Sequence, residues 1–280
     1  MNAVAKAIWF IETHFSQDIS LDDIAKAAGV SRYHVVRAFG FATGRSVMRH
    51  VRGRRLTEAA RTLANGAPDI LTVALAAGYG SHEAFTRAFR EQFGLTPEAV
   101  RAQHHVRNIA LVDPIKMDET VIDDLKPVRF ESGRPLLIAG LGERYGWETS
   151  RAAPAQWQRF TPYLGNIPGQ VGSATFGVAC NGDDDGNFDY IAGVEVNDFS
   201  DLPDGFSRVR VGPRKYAVFA HGGHISTIRR TVNTIWSKWL ADSGHEVADA
   251  PSFERFGEQF DARTGMGGFE IWIPIRGAIP

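Results

Sequence analysis

Two segments near the N-terminus of this 280-residue chain repeat one another. Residues 24–31 are similar to residues 73–81, which carry one extra turn residue, and the sequence Arg-Ala-Phe at 37–39 recurs at 87–89. Each copy consists of an alanine-rich helix, a glycine turn and a second helix that begins at a serine, Ser31 or Ser81. Alanines let two helices cross closely, and glycine permits the tight turn between them. The repeat therefore predicts two helix-turn-helix units in an all-α first domain.

The formal net charge of −1 is the sum of two halves of opposite sign. Residues 1–107 carry 14 Lys and Arg against 9 Asp and Glu, a net charge of +5. Residues 108–280 carry 17 against 23, a net charge of −6. The alternative is that solvated faces differ by chance, but such asymmetry favours a polyanion as the partner of the first half only.

The composition excludes several classes of protein. An apolar fraction of 44% argues against a disordered chain, and the single cysteine, Cys180, excludes a disulfide framework. The longest apolar runs fall far short of the roughly 18 residues that a membrane span needs. Lys6 and Glu12 interrupt the apolar N-terminal segment, which therefore does not resemble a signal peptide. We expect a soluble, cytoplasmic protein without a membrane partner.

The second helix of a helix-turn-helix unit enters the major groove, with its N-terminal residues facing base edges. The specific motif residues are Gly78, Tyr79, Gly80, Ser81, Phe85, Arg87, Ala88, Phe89, Phe93, Gly94, Thr96, Pro97 and Arg101, with Ser31, His34, Arg37, Phe39, Arg55, Leu56, Ala59 and Ala60 before them. Over about residues 3–105 the sequence resembles the DNA-binding domain of AraC/XylS transcription regulators. The resemblance implies two recognition helices that enter successive major grooves of double-stranded DNA.

Carried over by position, the resemblance implies a set of DNA-facing residues in each unit. They are Arg32, Tyr33, Val36 and Arg37 in the first unit and His82, Glu83, Thr86 and Arg87 in the second. An arginine can bond guanine O6 and N7, and a glutamate can accept from cytosine N4, whereas Val36 could contact only a thymine methyl. Gly40 offers no side chain where the family often has a polar one. We therefore expect the first helix to read fewer bases than the second.

Other residues of this domain have structural interpretations. Val35, Phe39, Phe85 and Phe89 have the spacing that packs a recognition helix onto its partner, and His34 is expected to make a structural hydrogen bond. A further set of arginines is expected to contact phosphates or water rather than bases, because phosphate contacts outnumber base contacts. They are Arg32, Arg45, Arg49, Arg52, Arg54 and Arg55.

The acidic half has a different periodicity. Residues 108–126 are polar, with Asp-Pro at 113–114, and are predicted to be a linker between a domain of residues 1–107 and one of residues 127–280. The order strand, helix, strand, strand then occurs twice, first over 135–196 and again over 207–275, and the acidic residues 183–185 lie in a predicted hairpin loop. This order predicts an α+β domain with helices on one face of an antiparallel sheet.

The second domain also carries short motifs in a fixed order. They are Ala-Gly-Val at 192–194, Lys-Tyr-Ala-Val-Phe at 215–219, His-Gly-Gly at 221–223, Trp-Leu at 239–240, Phe-Glu at 253–254 and Glu-Ile-Trp-Ile-Pro-Ile at 270–275. Over about residues 127–276 this pattern resembles the GyrI-like effector-binding domain. The resemblance implies a pocket for a small, aromatic or cationic effector between two sheet halves, with a glutamate of the last strand inside. His224 stands where the family often has an aromatic residue, and the triple-Asp loop is unusual.

The last strand contains a candidate ligand-binding pair. Alternation places Phe269, Ile271 and Ile273 on one face and Glu270 with Trp272 on the other. A carboxylate beside an indole suits an organic cation, through charge pairing and cation–π contact. The alternative is that Glu270 pairs with a nearby arginine or faces water.

Three further aromatic residues are ligand candidates. Tyr190 lies by alternation on the face opposite Glu195, so only one of these two can line a cavity. Tyr145 and Trp147 lie at the exit of the first predicted strand. Two other aromatic residues, Trp236 and Trp239, are expected in the core.

We expect a ligand-responsive transcription regulator that binds promoter DNA and a small-molecule effector, with RNA polymerase as a further partner. We expect no cofactor, no metal and no catalytic residue. His221 and His224 have metal-like spacing but lack further nearby ligands, and the triple-Asp run does not fit a calcium loop. Two alternatives remain open for the second domain. It could be a hydrolase-like enzyme, with Glu270 and a tyrosine as the acid–base pair, or a protein-interaction module with a closed pocket.

Overall fold

The computed structural model of the protein describes residues 2–67, 69–115 and 121–276. Residues 116–120 of the predicted linker lie outside the described residues, as do positions 1, 68 and 277–280. The first domain is all-α, as predicted. Its helices are α1 (Ala3–His14), α2 (Leu21–Ala28), α3 (Arg32–Thr43), α4 (Val47–Ala64), α5 (Ile70–Ala76), α6 (His82–Phe93) and α7 (Pro97–Gln103).

Local sequence explains where the helices of the two units begin. The Ser31 and Ser81 side chains each accept a backbone N–H from the third residue of the following helix, which caps α3 and α6. Ser20 and Asp23 form a capping box at the start of α2, and Gly29 ends that helix with a φ of 72°. The two predicted helix-turn-helix units are confirmed as α2–α3 and α5–α6.

The two units pack around different apolar cores. The core of the second unit contains Leu63, Phe85 and Phe89, and its members lie between residues 56 and 111, with none from the C-terminal domain. The core of the first unit contains Phe39 and continues without a break into the C-terminal domain, where it includes Trp236. The first unit is therefore packed on the C-terminal domain, whereas the second unit has a core of its own.

The C-terminal domain combines an antiparallel sheet with helices, as the sequence predicts. Its described strands are β1 (Arg129–Gly133), β2 (Leu136–Tyr145), β3 (Gln170–Cys180), β4 (Phe188–Val196), β5 (Ser207–Val211), β6 (Arg214–His221), β7 (Ser252–Phe256) and β8 (Phe269–Ile275). Its helices are α8 (Ala153–Phe160) and α9 (Ile228–Thr234), which continues through a π-helical turn (Ile235–Trp239) into α10 (Leu240–Asp242). The sheet order is β1-β6-β8-β7-β3-β4-β2-β5. The two strand–helix–strand–strand units meet where β3 pairs with β7.

The sequence predicts one bent strand over 207–219, but the structure divides it at Gly212 and Pro213 into β5 and β6. These strands lie near opposite ends of the sheet order, and β6 pairs with β1, a strand that the sequence did not predict. A two-residue connection spans at most about 11 Å, whereas six strand spacings of a flat sheet cover roughly 29 Å. The sheet must therefore curl until its ends approach one another.

The curl gives the two faces of the sheet different environments. The inner face is filled by its own apolar side chains, which include Ile138, Tyr216, Phe253 and Trp272. The outer face is covered by α8, α9 and, from the N-terminal domain, α3. The inner face is not closed along its whole length, because a cavity of about 320 Å³ lies beside Cys180, Ile191 and Val209.

The predicted linker is partly packed against the N-terminal domain. The backbone N–H of Val112 donates to Thr57 Oγ1 at 2.9 Å, and its carbonyl accepts from Arg54 at 3.0 Å. The predicted domain boundaries stay predictions. Within residues 2–67, 69–115 and 121–276, no helix has the length and apolar character of a membrane-spanning segment.

Candidate functional site

The recognition helix of the second unit, α6, presents its candidate residues to solvent. Glu83 and Arg87 are exposed, and His82 and Thr86 are half-buried beside them. His82 Nε2 lies 3.0 Å from Glu98 Oε1, which positions the imidazole at the start of the helix. The predicted base contacts of this helix therefore have an open surface that a major groove can receive.

The recognition helix of the first unit, α3, has its candidate residues largely covered by the C-terminal domain. Val36 and Arg37 are only 6% and 5% exposed. Tyr33 is half-buried against Trp236, with 6.0 Å between ring centroids, and His34 Nε2 lies 2.9 Å from the Trp236 carbonyl oxygen. His34 thus makes the expected structural bond. The predicted DNA contacts of Tyr33, Val36 and Arg37 need a different conformation, because here the C-terminal domain covers them.

Two arginines that were expected to contact phosphates or water are tied into the fold instead. The Arg54 side chain is 6% exposed, and its Nε donates to Glu12 Oε2 at 2.9 Å. Arg55 Nε donates to the carbonyl oxygen of Phe15 at 2.6 Å. These bonds hold α4 against the N-terminal helix. The other predicted phosphate contacts remain exposed, namely Arg32, Arg45, Arg49 and Arg52.

The five candidate ligand residues do not form one pocket, because the sheet separates them. Glu270 and Trp272 lie on the side of the inner face, where Trp272 belongs to the packed core. Tyr190, Tyr145 and Trp147 lie on the other side and form an aromatic cluster there. A single ligand therefore cannot contact both sets through the sheet.

Glu270 has arginine partners. Its Oε1 lies 2.6 Å from Arg129 Nη1, its Oε2 lies 3.7 Å from Arg255 Nη1, and Trp272 Nε1 donates to Oε2 at 3.0 Å. Burial raises the pKa of Glu270, but the bonds from Arg129 and Trp272 outweigh it and hold this pKa below its ordinary value. This geometry corresponds to the alternative in which Glu270 pairs with a nearby arginine. A cationic ligand would have to displace Arg129 from this carboxylate.

The carboxyl group that faces the helices belongs to Glu254 of β7. Tyr190 Oη donates to Glu254 Oε2 at 3.1 Å, and Trp157 Nε1 of α8 donates to Tyr190 Oη at 3.1 Å. Gly177 of β3 makes room for this pair, because a Cβ at that position would overlap both the phenol and the carboxylate. Glu254 and Tyr190 are half-buried, so the pair is largely, but not completely, withdrawn from solvent.

The surroundings of Glu254 bring the pKa of its carboxyl close to neutral pH. Burial raises its pKa to about 7, although the bond from Tyr190 and the charge of Arg37 both act to lower it. Burial also raises the pKa of Tyr190 well above its ordinary value, so the phenol remains a donor. Such a carboxyl is a group that a cationic ligand can ionise and pair with. It is also a carboxyl–tyrosine pair of the kind that the enzymatic alternative requires, at Glu254 rather than Glu270.

Arg37 of α3 projects into a cluster of aromatic rings beside Glu254. Its Cζ lies between 5.2 and 5.9 Å from five ring centroids, and its Nη2 donates to Ser252 Oγ at 3.2 Å. Ser252 and Glu254 are two residues apart on β7 and therefore share the outer face. We call the five rings the aromatic cage. They are Tyr33, Phe41, Trp147, Phe188 and Trp236.

The remaining aromatic candidates lie at the edge of this site. Tyr145 is 4% exposed, and its hydroxyl donates to Glu143 Oε2 at 2.6 Å and lies 3.1 Å from Gln156 Oε1 of α8. Burial raises the pKa of Tyr145 above its ordinary value. Trp147 is 3% exposed, belongs to the cage and packs against Phe41 of α3, with 4.7 Å between ring centroids. Of the two, Trp147 contacts the Arg37 cation directly.

The sequence alone did not assign two residues of the outer face, Glu254 and Arg37, to the candidate ligand site. In the sequence, Glu254 appears only as part of the GyrI-like pattern. Alternation places it on the opposite face of the strand from Phe253, but it does not show which of the two faces borders a ligand site. The sequence around Arg37 does not predict the aromatic cage, because its hydrogen-bond partner Ser252 is 215 positions away. Among the described residues, no group of three or more His, Cys, Asp or Glu is arranged to hold a metal ion. His221 Nδ1 instead lies 2.9 Å from Thr231 Oγ1.

Both domains match models of known protein families. The GyrI-like small molecule binding domain matches residues 126–276, more than half of the chain, and a helix-turn-helix domain matches residues 24–103. The right origin-binding protein of Escherichia coli (strain K12) is 26% identical over 286 residues, with 96% of each chain covered. The transcriptional regulator Rob of Salmonella typhimurium is 25% identical over 282 residues, again with 96% of each chain covered. The transcriptional regulator BrlR of Pseudomonas aeruginosa is 34% identical over 121 residues, which cover 42% of this chain and 44% of its own.

The two matches occur in the order that the motifs predict, and a relative that aligns with 96% of this chain is named a transcriptional regulator. The helix-turn-helix match includes both recognition helices, and the GyrI-like match includes every described strand of the sheet. The resemblance stated from the sequence is thereby confirmed. The chain belongs to the AraC-type DNA-binding transcription regulators that carry a C-terminal GyrI-like small-molecule-binding domain.

Proposed function

We propose that this regulator recognises promoter DNA through α6 and senses a small aromatic cation at the outer-face site of Glu254 and Tyr190. The proposal rests on the difference between the hydrogen-bond partners of Glu270 and those of Glu254. Glu270 is paired with Arg129, whereas Glu254 is bonded by a phenol and has a raised pKa. Among the described residues no basic side chain forms an ion pair with Glu254, and a carboxyl of this kind beside aromatic rings favours a ligand that brings the positive charge.

The pKa of Glu254 makes effector binding dependent on pH. With a pKa of about 7, this carboxyl is mostly protonated at about pH 6 and mostly ionised at about pH 8. A permanent aromatic cation such as tetraphenylphosphonium pairs with the ionised form only. We therefore expect its affinity to rise roughly tenfold between those pH values, in proportion to the ionised fraction. Isothermal titration calorimetry at constant ionic strength measures the profile, and a flat or falling one would argue against Glu254 as the ligand carboxylate.

The DNA-binding role of α6 is tested on an operator selected from a random duplex pool by the full-length protein. Replacing Arg87 with alanine should weaken binding to that operator by about 1–3 kcal/mol, because a bidentate guanine contact is lost. Binding to unrelated duplexes should barely change in a band-shift assay. An equal loss on every duplex would make Arg87 a phosphate contact instead.

The finer predictions on cellular context follow from the family. We propose that the protein acts in the cytoplasm, that RNA polymerase is its protein partner at the promoter and that the C-terminal domain has no catalytic activity. The support is that relatives similar along the whole chain include a transcriptional regulator. Recovery of tetraphenylphosphonium and of other bound compounds chemically unchanged is the expected result for a sensor.

A further inference from the structure

The first recognition helix is held on the C-terminal domain by a cation in an aromatic cage. Arg37 is 5% exposed, and its Nε finds no hydrogen-bond partner among the described residues. Its guanidinium is enclosed by the cage and lies beside Glu254, whose pKa its charge lowers. Aromatic rings next to a carboxylate are the surroundings that recognise organic cations. Arg37 therefore stands where the cationic effector of the proposed function would bind.

The contact between α3 and the cage is shaped by a glycine. Gly40 lies against the Trp147 indole, and a Cβ at position 40 would overlap the indole ring atoms. Trp147 is 3% exposed and also packs on Phe41, with 4.7 Å between ring centroids, so it has little room to move aside. The equivalent position of the second unit, fifty residues later, is Arg90, which is exposed. Only the first unit has the notch that receives Trp147.

Charges around this contact are matched in sign. Three exposed arginines that were predicted to contact phosphates each face a carboxylate of the C-terminal domain, and two of those carboxylates belong to the triple-Asp loop. Each exposed ion pair contributes little by itself. Together, the three ion pairs occupy with carboxylates the same arginine side chains that are predicted to contact DNA phosphates. The pairs are Arg32 with Asp184, Arg49 with Glu148 at 3.8 Å and Arg52 with Asp185 at 3.8 Å.

A crevice leads from solvent to the cage. It has a volume of about 310 Å³ and lies between α3 and the C-terminal domain. Val36 and Arg37 line one wall, and Trp147, Phe188 and Asp184 line the other. The crevice therefore connects solvent with the Arg37 guanidinium and with three rings of the cage, Tyr33, Trp147 and Phe188.

We propose that α3 is an internal ligand of the effector site: Arg37 occupies the aromatic cage in place of the cation, so that effector binding and insertion of α3 into DNA both require the same release of the helix. This inference rests on the proposed function of the outer-face site. Effector and Arg37 cannot share the cage, because two cations would meet there without water between them. Effector binding therefore shifts the protein toward a form in which both recognition helices are available to DNA.

The first test compares the affinity of tetraphenylphosphonium for the full-length protein and two variants by calorimetry. Arg37→Gln removes the competing charge and should tighten binding roughly tenfold or more, since the closed form no longer withholds the site. Arg61→Gln, at a half-buried arginine of α4 that is paired with Glu58 and does not line the crevice, should leave the affinity unchanged. Equal affinities of the wild type and Arg37→Gln would overturn the inference while leaving the proposed function intact. Binding by none of the three proteins would contradict both.

The second test follows α3 directly by hydrogen–deuterium exchange of residues 32–43 in the full-length protein. Saturating tetraphenylphosphonium should speed exchange in α3 and leave α6 unchanged. Gly40→Ala should do the same without the cation, although alanine favours the helix more than glycine does. A saturated protein in which α3 exchanges as slowly as before would overturn the inference, because helix and cation would then be bound together.

The third test repeats the selection from a random duplex pool in the presence of tetraphenylphosphonium. The selected operators should carry recognition sites in two successive major grooves, whereas those selected without the cation should carry one. The same two-site operators from both selections would show that α3 reaches DNA without release by the effector, and would overturn the inference.

Discussion

Glu254→Gln is expected to weaken binding of tetraphenylphosphonium by roughly 30-fold or more, the loss that follows when one partner of a desolvated charge pair is removed. Glutamine keeps the shape of the side chain and can still accept the hydrogen bond from Tyr190 Oη, which now spans 3.1 Å to the carboxylate. Only the charge is lost. The affinity of this variant should also no longer rise with pH, because no carboxyl titrates near pH 7 at the site.

The matched comparison is Glu270→Gln. This carboxylate is bonded to Arg129 at 2.6 Å and lies on the other side of the sheet, so we expect its neutralisation to change the cation affinity by less than about threefold. Calorimetric titration of both variants at about pH 8 measures the difference, with circular dichroism as the check on folding. A large loss for Glu270→Gln and none for Glu254→Gln would move the effector site to the inner face.

Glu12→Gln is expected to lower the free energy of unfolding by about 3 kcal/mol, because it removes the carboxylate that is bonded to the buried Arg54 charge and leaves only the half-exposed Glu58 at 3.9 Å. Glu12 Oε2 accepts from Arg54 Nε at 2.9 Å and Oε1 lies 3.0 Å from His50 Nε2, with the Arg54 and His50 side chains 6% and 1% exposed. Burial lowers the pKa of His50 more than Glu12 raises it, so Arg54 is the cation that Glu12 neutralises.

The control for Glu12 is Glu58→Gln in α4. Glu58 pairs with Arg61 at 2.6 Å and lies 3.9 Å from Arg54 Nη1, but the Glu58 side chain is more than two-fifths exposed, so the loss should stay within about 1 kcal/mol. Urea denaturation followed by tryptophan fluorescence and by far-ultraviolet circular dichroism measures both variants. Equal effects of the two substitutions would show that the pair at Glu12 is as well solvated as the surface pair.

The helical domain was predictable because its signals are local. Serine caps at Ser31 and Ser81, glycine turns and the spacing of Phe85 and Phe89 act within one or two helical turns, and the structure places each as expected. The strand–helix–strand–strand order was predictable for the same reason. The division of residues 207–219 was not, because β5 and β6 follow from which distant strands pair with each of them.

The effector site shows where alternation stops being informative. Alternation along β8 correctly places Glu270 and Trp272 together, away from Ile271. It does not show that this side of the sheet is the filled one, because the curl depends on the short connection between β5 and β6. Glu254 is one residue from a core phenylalanine and acquires its surroundings from β3, β4 and α8.

The sequence by itself determined that Arg37 and Arg87 occupy equivalent positions in two similar recognition helices, because the helical repeat depends on neighbours close in the chain. Only the tertiary structure decided that Arg87 is exposed and Arg37 is enclosed. The physical reason is the surface that each helix offers. Gly40 leaves a notch that the Trp147 indole fills, whereas the exposed Arg90 side chain stands at that position in the second unit. Aromatic rings from distant segments then surround the Arg37 guanidinium, and no local sequence pattern predicts those contacts.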